Sequence, residues 1–303
     1  MRPLARATMR GPLGATAVIS LSAVLAVPLV LPIIISGAAL GLVTLRRGGG
    51  PGMQVMLTSL IVSVLLSQAL MGSAAPVFGF VLGAWLPIWA LAMLLRWTSD
   101  QGIAMLAAAG LAGLTSIAMH VVTGDVNAWW TEQLARSVAS LGAEGARIDL
   151  ERMAALAQIL PIALAIAVVS GLVAMLLLAR WWQSLLYNPG GFREEFHALV
   201  LPAAVSSLAA ICGVGVLVQR LQSPGIGLAM ELLMVMVVLF AVQGLAVTHH
   251  RAAARAVRRG WLVGIYMALL VVSQVALVAL AAVGLADTFV DFRGIRSKAS
   301  AGP

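Results

Sequence analysis

The chain has 303 residues, of which 61% are hydrophobic and only 10% charged, and its mean hydropathy is +1.03. A charged fraction less than half of the roughly 25% of soluble domains excludes an ordinary soluble fold and leaves a polytopic membrane protein. The formal charge of +8 comes almost wholly from arginines that fall between apolar runs, which argues for membrane topology and against nucleic acid as a partner. A single cysteine, Cys212, sits inside an apolar run, so the chain alone can form neither a disulfide framework nor a thiolate metal cluster.

The sequence opens with a basic segment, residues 1–12, carrying Arg2, Arg6 and Arg10. The apolar run 13–45 that follows greatly exceeds a signal h-region of about 7–15 residues. As one helix it would measure about 50 Å, against a hydrocarbon core of about 30 Å. Pro28 and Pro32 near its middle predict instead a short proline-broken hairpin. Arginine placement favours the same choice, because cytoplasmic loops collect Lys and Arg. The hairpin gathers Arg46, Arg47, Arg96, Arg180, Arg193, Arg251, Arg255, Arg258 and Arg259 on the side of the N-terminus, whereas a single span divides the basic residues almost evenly.

After the turn GGGPG, spans are expected at about 53–72, 76–97 and 103–122, each near the roughly 20 residues that a membrane helix needs. Trp97, beside Arg96, suits an interfacial anchor. Residues 123–152 turn polar and are expected outside, with Trp129, Trp130, Gln133, Leu134, Val138 and Leu141 at near-helical spacing on a surface amphipathic helix. A span at 153–179 leads to an expected cytoplasmic loop, 180–197, reading RWWQSLLYNPGGFREEFH. Spans at 199–219, 226–247 and 261–285 follow. The insert HHRAAARAVRRG between the last two should be drawn to anionic lipid at the cytoplasmic face. Strict alternation places the polar tail, 286–303, outside, although Arg293, Arg296 and Lys298 would prefer the cytoplasm. The expected architecture is one integral membrane domain: an all-α, polytopic transmembrane helical bundle of eight or nine spans in a bacterial inner membrane, N-terminus cytoplasmic.

Three groups of residues carry chemical character. Glu231 is the one carboxylate well inside an expected span, at a cost of about 2.5–3.5 kcal/mol, and its candidate partners are His120, Gln158, Gln243 and Gln274. Either it is a proton or substrate site or it is a protonated or snorkelling structural glutamate. Asp287 and Asp291, four apart with Phe292 and Arg293 following, either bind a cation or fix the last helix end. In the 180–197 stretch, Arg180, Trp181, Trp182, Tyr187, Asn188, Pro189, Gly190, Gly191, Phe192 and Arg193 form either a partner-docking surface or an interfacial belt. No phosphate-binding loop, HExxH zinc site or GxSxG elbow occurs, so neither enzyme activity nor a cofactor or metal is expected.

At WWQSLLYNPGGFREEF and again at GLADTFVDFRGIR the chain resembles the YybS-like family of bacterial multi-pass membrane proteins. The resemblance extends to the early hairpin that ends in LVTLRRGG and covers essentially the whole chain. The first half is also loosely similar to the substrate-capturing membrane subunits of energy-coupling-factor transporters and to MreD, a fold-level likeness. Two functional readings follow. One is a non-ATP-hydrolysing transport-type module binding a small solute within the bundle. The other is a membrane scaffold recruiting a membrane or cytoplasmic protein through its cytoplasmic loops. The bilayer is a partner in both.

Overall fold

The computed structural model describes residues 1–139, 150–222, 227–254 and 260–295, and for 150 and 151 the backbone only. Leu141 of the expected surface helix, Pro224, Arg255, Arg258, Arg259, Arg296 and Lys298 lie outside the described residues. Those described are overwhelmingly helical, with no strand among them, and eight helices are long and apolar enough to cross a membrane. The protein is a polytopic helical bundle.

Breakers set the first elements. A short basic helix, α1 (Arg2–Met9), precedes α2 (Pro12–Leu29), which has Pro12 in its first turn, where a missing N–H costs nothing. Pro28 lies near the end of α2 and Pro32 opens α3 (Pro32–Arg47). Between them Val30 adopts φ 59°, a strained value for a β-branched residue, and the chain reverses into the expected hairpin. Gly48, at φ 98°, ends α3 and leads into α4 (Gly49–Met71). Gly72, left-handed, ends α4.

The next span is built from α5 (Ala75–Phe80), a π-helical turn at Val81–Trp85 and α6 (Leu86–Thr98). Pro87 cannot donate to the carbonyl four residues back and its ring crowds that carbonyl, so the wider turn forms just before it. That turn aims Trp85 inward, where its indole N–H donates to Ser36 Oγ at 3.0 Å, while Trp97 stands exposed at the helix end. Asp100 caps α7 (Gln101–Thr123) by accepting from Ile103 N at 3.0 Å.

The polar stretch contains α8 (Val126–Ala139), whose Trp129, Trp130, Gln133, Leu134 and Val138 are half-buried while Glu132, Ala135 and Arg136 are exposed. Against α8 packs α9 (Leu150–Tyr187), 38 residues and therefore about 57 Å long. The expected span at 153–179 with a loop from 180 is thus corrected. Arg180–Tyr187 are the last two turns of α9, because Leu185 and Leu186 continue the apolar pattern and only Asn188, Pro189 and Gly190 break it. A short helix, α10 (Gly191–His197), a non-helical stretch at 198–202, α11 (Ala203–Gln222) and α12 (Leu228–Ala254) follow.

A second correction concerns the expected span at 261–285. It is two helices, α13 (Gly260–Val271) and α14 (Ser273–Val290), separated by Val272 at φ −124° and ψ 50°. Trp261, at the start of α13, lines one cleft together with Val283 and Phe292, so the chain folds back at Val272. The Arg251 guanidinium lies 5.8 Å from the Phe292 ring, and Arg293 donates to the His197 carbonyl at 2.8 Å. Hence α14 runs parallel to α12, and the chain up to Ile295 returns to the face that carries the N-terminal helix. Alternation had placed this tail on the other side; the extra reversal moves it.

The same face holds Arg47, which donates to Met9 O at 3.0 Å, Arg96, which donates to Leu45 O at 2.8 Å, and Gln101, which donates to Glu195 at 3.0 Å. Arg2, Arg6, Arg10, Arg46, Arg180, Arg193 and Arg251 join it, and it is called the arginine face below. The opposite face carries the turns at Val30, Gly72 and Gly124 together with α8.

At the centre lies α3, in which every residue of the stretch 36–45 is buried. Small residues make this possible. A Cβ on Gly41 would stand 3.1 Å from Ala179 of α9, and one on Gly37 would strike the Met175 side chain. Hydroxyls join the surrounding helices: Ser36 donates to Ile19 O at 2.9 Å, Ser20 to Ser59 O at 3.2 Å, and Thr16 meets Thr58 at 2.9 Å. By contrast, α11 buries only Val205 and exposes Ile211, Val214, Leu217 and Leu221, a lipid-facing surface.

Two outcomes check this arrangement. In a Cys212→Ser background, Ile295→Cys and Arg10→Cys will react with a membrane-impermeant maleimide from the same side of sealed vesicles, and Met71→Cys from the other. Labelling of Ile295→Cys together with Met71→Cys would disprove the hairpin at Val272. A Cβ on Gly244 would collide with the Leu280 backbone of α14, so Gly244→Leu should cost about 1–3 kcal/mol, read as a lowered unfolding midpoint in detergent.

Candidate functional site

Polar chemistry concentrates at three places, one on the face opposite the arginines and two beneath the arginine face. The first is built by α7, the start of α8, α9 and the first turn of α12. Glu231 is 3% exposed, and its Oε1 lies 3.6 Å from His120 Nε2. The Ser116 side chain, one helical turn before His120, acts on the same carboxylate. His120 Nδ1 lies 3.0 Å from the Ser116 carbonyl, which can only accept, so Nδ1 carries a hydrogen and Nε2 is the nitrogen turned to Glu231. One proton can then reside on Nε2 or on the carboxyl, and a contraction of about half an ångström, or one bridging water, completes the transfer path. Both side chains line a cavity of about 340 Å³ with Asp125, Asn127 and Pro161.

Of the four partners expected for Glu231, the structure brings only His120 to it. Gln158 and Gln274 are exposed. Gln243, twelve residues further along α12 and therefore about 18 Å away, belongs to the second place. There its Oε1 accepts from Leu201 N at 2.9 Å, and its Nε2 donates to Gly284 O at 3.0 Å and to Asp287 Oδ2 at 3.1 Å. Asp287 Oδ2 also accepts from Arg293 at 2.7 Å, in a pair whose side chains are 2% and 0% exposed. Asp291 is the left-handed residue that closes α14, and its carboxylate accepts from Ile295 N at 3.1 Å. The two aspartates therefore have separate tasks, and the geometry here is that of a fastened helix end. Among the described residues no cluster of His, Cys, Asp and Glu could hold a metal ion.

The third place is the end of α9 with α10. Arg180 grips Glu195 with two hydrogen bonds, Nε to Oε2 at 3.1 Å and Nη2 to Oε1, while its Nη1 donates to Gln183 at 2.5 Å. Ser184 ties the turn, donating to Asn188 O at 2.7 Å and accepting from Phe192 N at 3.1 Å. Gly190 sits at φ 97°, which favours glycine there. Trp182 is fully buried and Trp181 half-buried, so of the Trp pair only Trp181 reaches the surface. Tyr187, Asn188, Pro189 and Gly190 are exposed, with Arg46 4.3 Å above the Tyr187 ring. Phe192 stacks on Phe196, and Arg193 is exposed. His197 meets His249 and His250 at ring-centre distances of 6.4 and 6.0 Å; burial first, then Arg193, holds its pKa below the usual imidazole value.

The Arg180–Glu195 clasp forms one wall of a cavity of about 760 Å³, whose other polar walls are Arg96, Asp100, Gln101 and Gln183. Sequence reasoning named Arg180 but missed this space. Its only signal was the polar cluster RWTSDQ at 96–101, which reads as a helix cap and a turn.

The buried pair beneath the arginine face yields a stability prediction. Asp287→Asn removes the countercharge of an inaccessible guanidinium and should cost about 3–5 kcal/mol, whereas Asp287→Asn combined with Arg293→Met should cost less, since no charge is then stranded. Unfolding midpoints of the two variants in one detergent give the order.

Compared with protein-family models, curated proteins and solved structures, the chain matches none.

Proposed function

We propose that this protein is a transport-type module of a bacterial cytoplasmic membrane that does not hydrolyse ATP, and that it handles a small solute at the Glu231–His120 cavity with a proton as the coupling ion. The observation that carries this reading is the pair itself. A buried carboxylate and a half-buried imidazole stand 3.6 Å apart in the wall of a cavity of about 340 Å³. Ionisable groups inside membrane helices are costly, and two of them able to share one proton suit a binding event that trades protonation for ligand. The arginine face is then cytoplasmic, by the bias of basic residues to that side, and the cavity faces outward beneath α8. The resemblance of the two sequence motifs to a bacterial membrane family accords with this location.

A scaffold reading is favoured by one observation: the exposed turn Tyr187–Gly190 is rigidly fixed by Ser184 and Gly190, a shape that contact with lipid alone does not require.

Affinity purification of the intact protein in mild detergent, with mass spectrometry of both small molecules and proteins, separates the two. A retained small molecule, reduced at least tenfold in Glu231→Gln and in His120→Ala but not in Tyr187→Ala, is the expected result. A stoichiometric protein partner lost in Tyr187→Ala, with no small molecule retained, would establish the scaffold instead.

A further inference from the structure

A cleft of about 470 Å³ opens on the arginine face between α12 and the α13–α14 hairpin, with Val247, Trp261, Val283 and Phe292 among its walls and Arg251 at its edge. Its walls are apolar apart from that arginine and Thr248, whose hydroxyl is already bonded to Leu245 O at 2.8 Å. Arg251 faces the Phe292 ring at 5.8 Å and pairs with no carboxylate among the described residues. The partnering of the other arginines that reach inward contrasts with this: Arg180 is held by Glu195, Arg293 by Asp287, and Arg96 by backbone carbonyls. The helix that forms the outer wall is also unusual. None of the 12 residues of α13 is buried, and Trp261, Val263, Met267, Leu270 and Val271 are each more than half exposed. It therefore touches the bundle without sealing against it, and the cleft stays open sideways to the bilayer.

We propose that this cleft binds one anionic phospholipid of the leaflet at the arginine face, its headgroup phosphate on Arg251 and an acyl chain along Val247, Val283 and Phe292, with Trp261 as the outer wall. The chemistry selects this occupant. A guanidinium presents paired N–H donors in a planar fork that fits phosphate oxygens, and a cation without an acidic partner gains most from a ligand of net negative charge. Apolar walls directly beneath it require that the anion be joined to a hydrocarbon chain, which a free phosphate lacks. An exposed indole at a membrane surface is at home between chain and headgroup. The inference rests only on the membrane-spanning architecture and is independent of the solute reading, because Arg251 and Glu231 stand near opposite ends of α12.

The test is native mass spectrometry of the full chain released from detergent micelles supplemented with equal amounts of phosphatidylglycerol and phosphatidylcholine. The expected result is one phosphatidylglycerol retained per chain under conditions that strip phosphatidylcholine. Arg251→Gln should lower that retention roughly tenfold, as expected for one charge-assisted interaction. Trp261→Ala should lower it several-fold, and Arg2→Gln should leave it unchanged. Trp261 is 62% exposed on a helix with no buried residue, so its replacement spares the core and decides the matter even if the Arg251 variant misfolds. Equal retention of the two lipids, unchanged retention in Trp261→Ala, or displacement of phosphatidylglycerol by inorganic phosphate would each overturn the proposal.

Discussion

An unpaired polar group is costly in hydrocarbon, where water is absent to satisfy it, and Gln243 is where this bundle meets that constraint. The chain passes from α10 to α11 through a non-helical stretch, in which the amides of Ala198 and Leu199 still bond back to α10 but that of Leu201 does not. Gln243 accepts from Leu201 N, and with its other end donates to the last turns of α14 and to Asp287. Because Asp287 in turn holds Arg293, and Arg293 holds the carbonyl of His197, a closed circuit of hydrogen bonds joins α10, α12 and α14. The close approach at Gly244 and Gly284 brings the two helix backbones near enough for one amide side chain to reach both neighbours. Packing by small residues and satisfaction of buried polar groups are thus a single solution.

The motifs that stand out in the sequence acquire meaning through this circuit. NPGGFREEFH and DTFVDFR are about a hundred residues apart in the chain, yet Arg293 of the second donates directly to the final carbonyl of the first. Their polar residues mainly fasten helix ends at one membrane face. The Glu231–His120 pair is different in kind: it contributes to no such circuit and stands in a cavity wall, which is why it carries the functional reading.

Much of the architecture was legible in residue types. The prolines at 28 and 32 marked the first reversal, and the arginines sorted the two faces. The amphipathic stripe of α8 was visible in the spacing of its tryptophans. The hairpin at Val272 was not legible, because no proline or glycine stands at that reversal and Leu270, Val271 and Val272 continue an unbroken apolar run. Only the preference of Arg293 for the side of the other arginines hinted at it. The partners of Glu231 were legible only in part. His120 lies on another helix, and Gln243, though closest in sequence, is separated from Glu231 by more than three helical turns of the same rod. The extension of α9 through Arg180–Tyr187 was hidden by polar residues at positions that face a cavity rather than solvent.

The length of α9 has a mechanical consequence. Pro161 lines the cavity of Glu231, and Arg180 walls the larger cavity on the other face, so a single continuous helix touches both spaces. The 19 residues between them form a stiff arm of about 28 Å, and a swing of about 5° at Pro161 would carry Arg180 through about 2.5 Å. Gln183 lies on the same arm and Glu195 is tied to its end through Ser184, so the bond that spans the moving parts is the one by which Gln101 of α7 holds Glu195, and its length of 3.0 Å is comparable to that displacement.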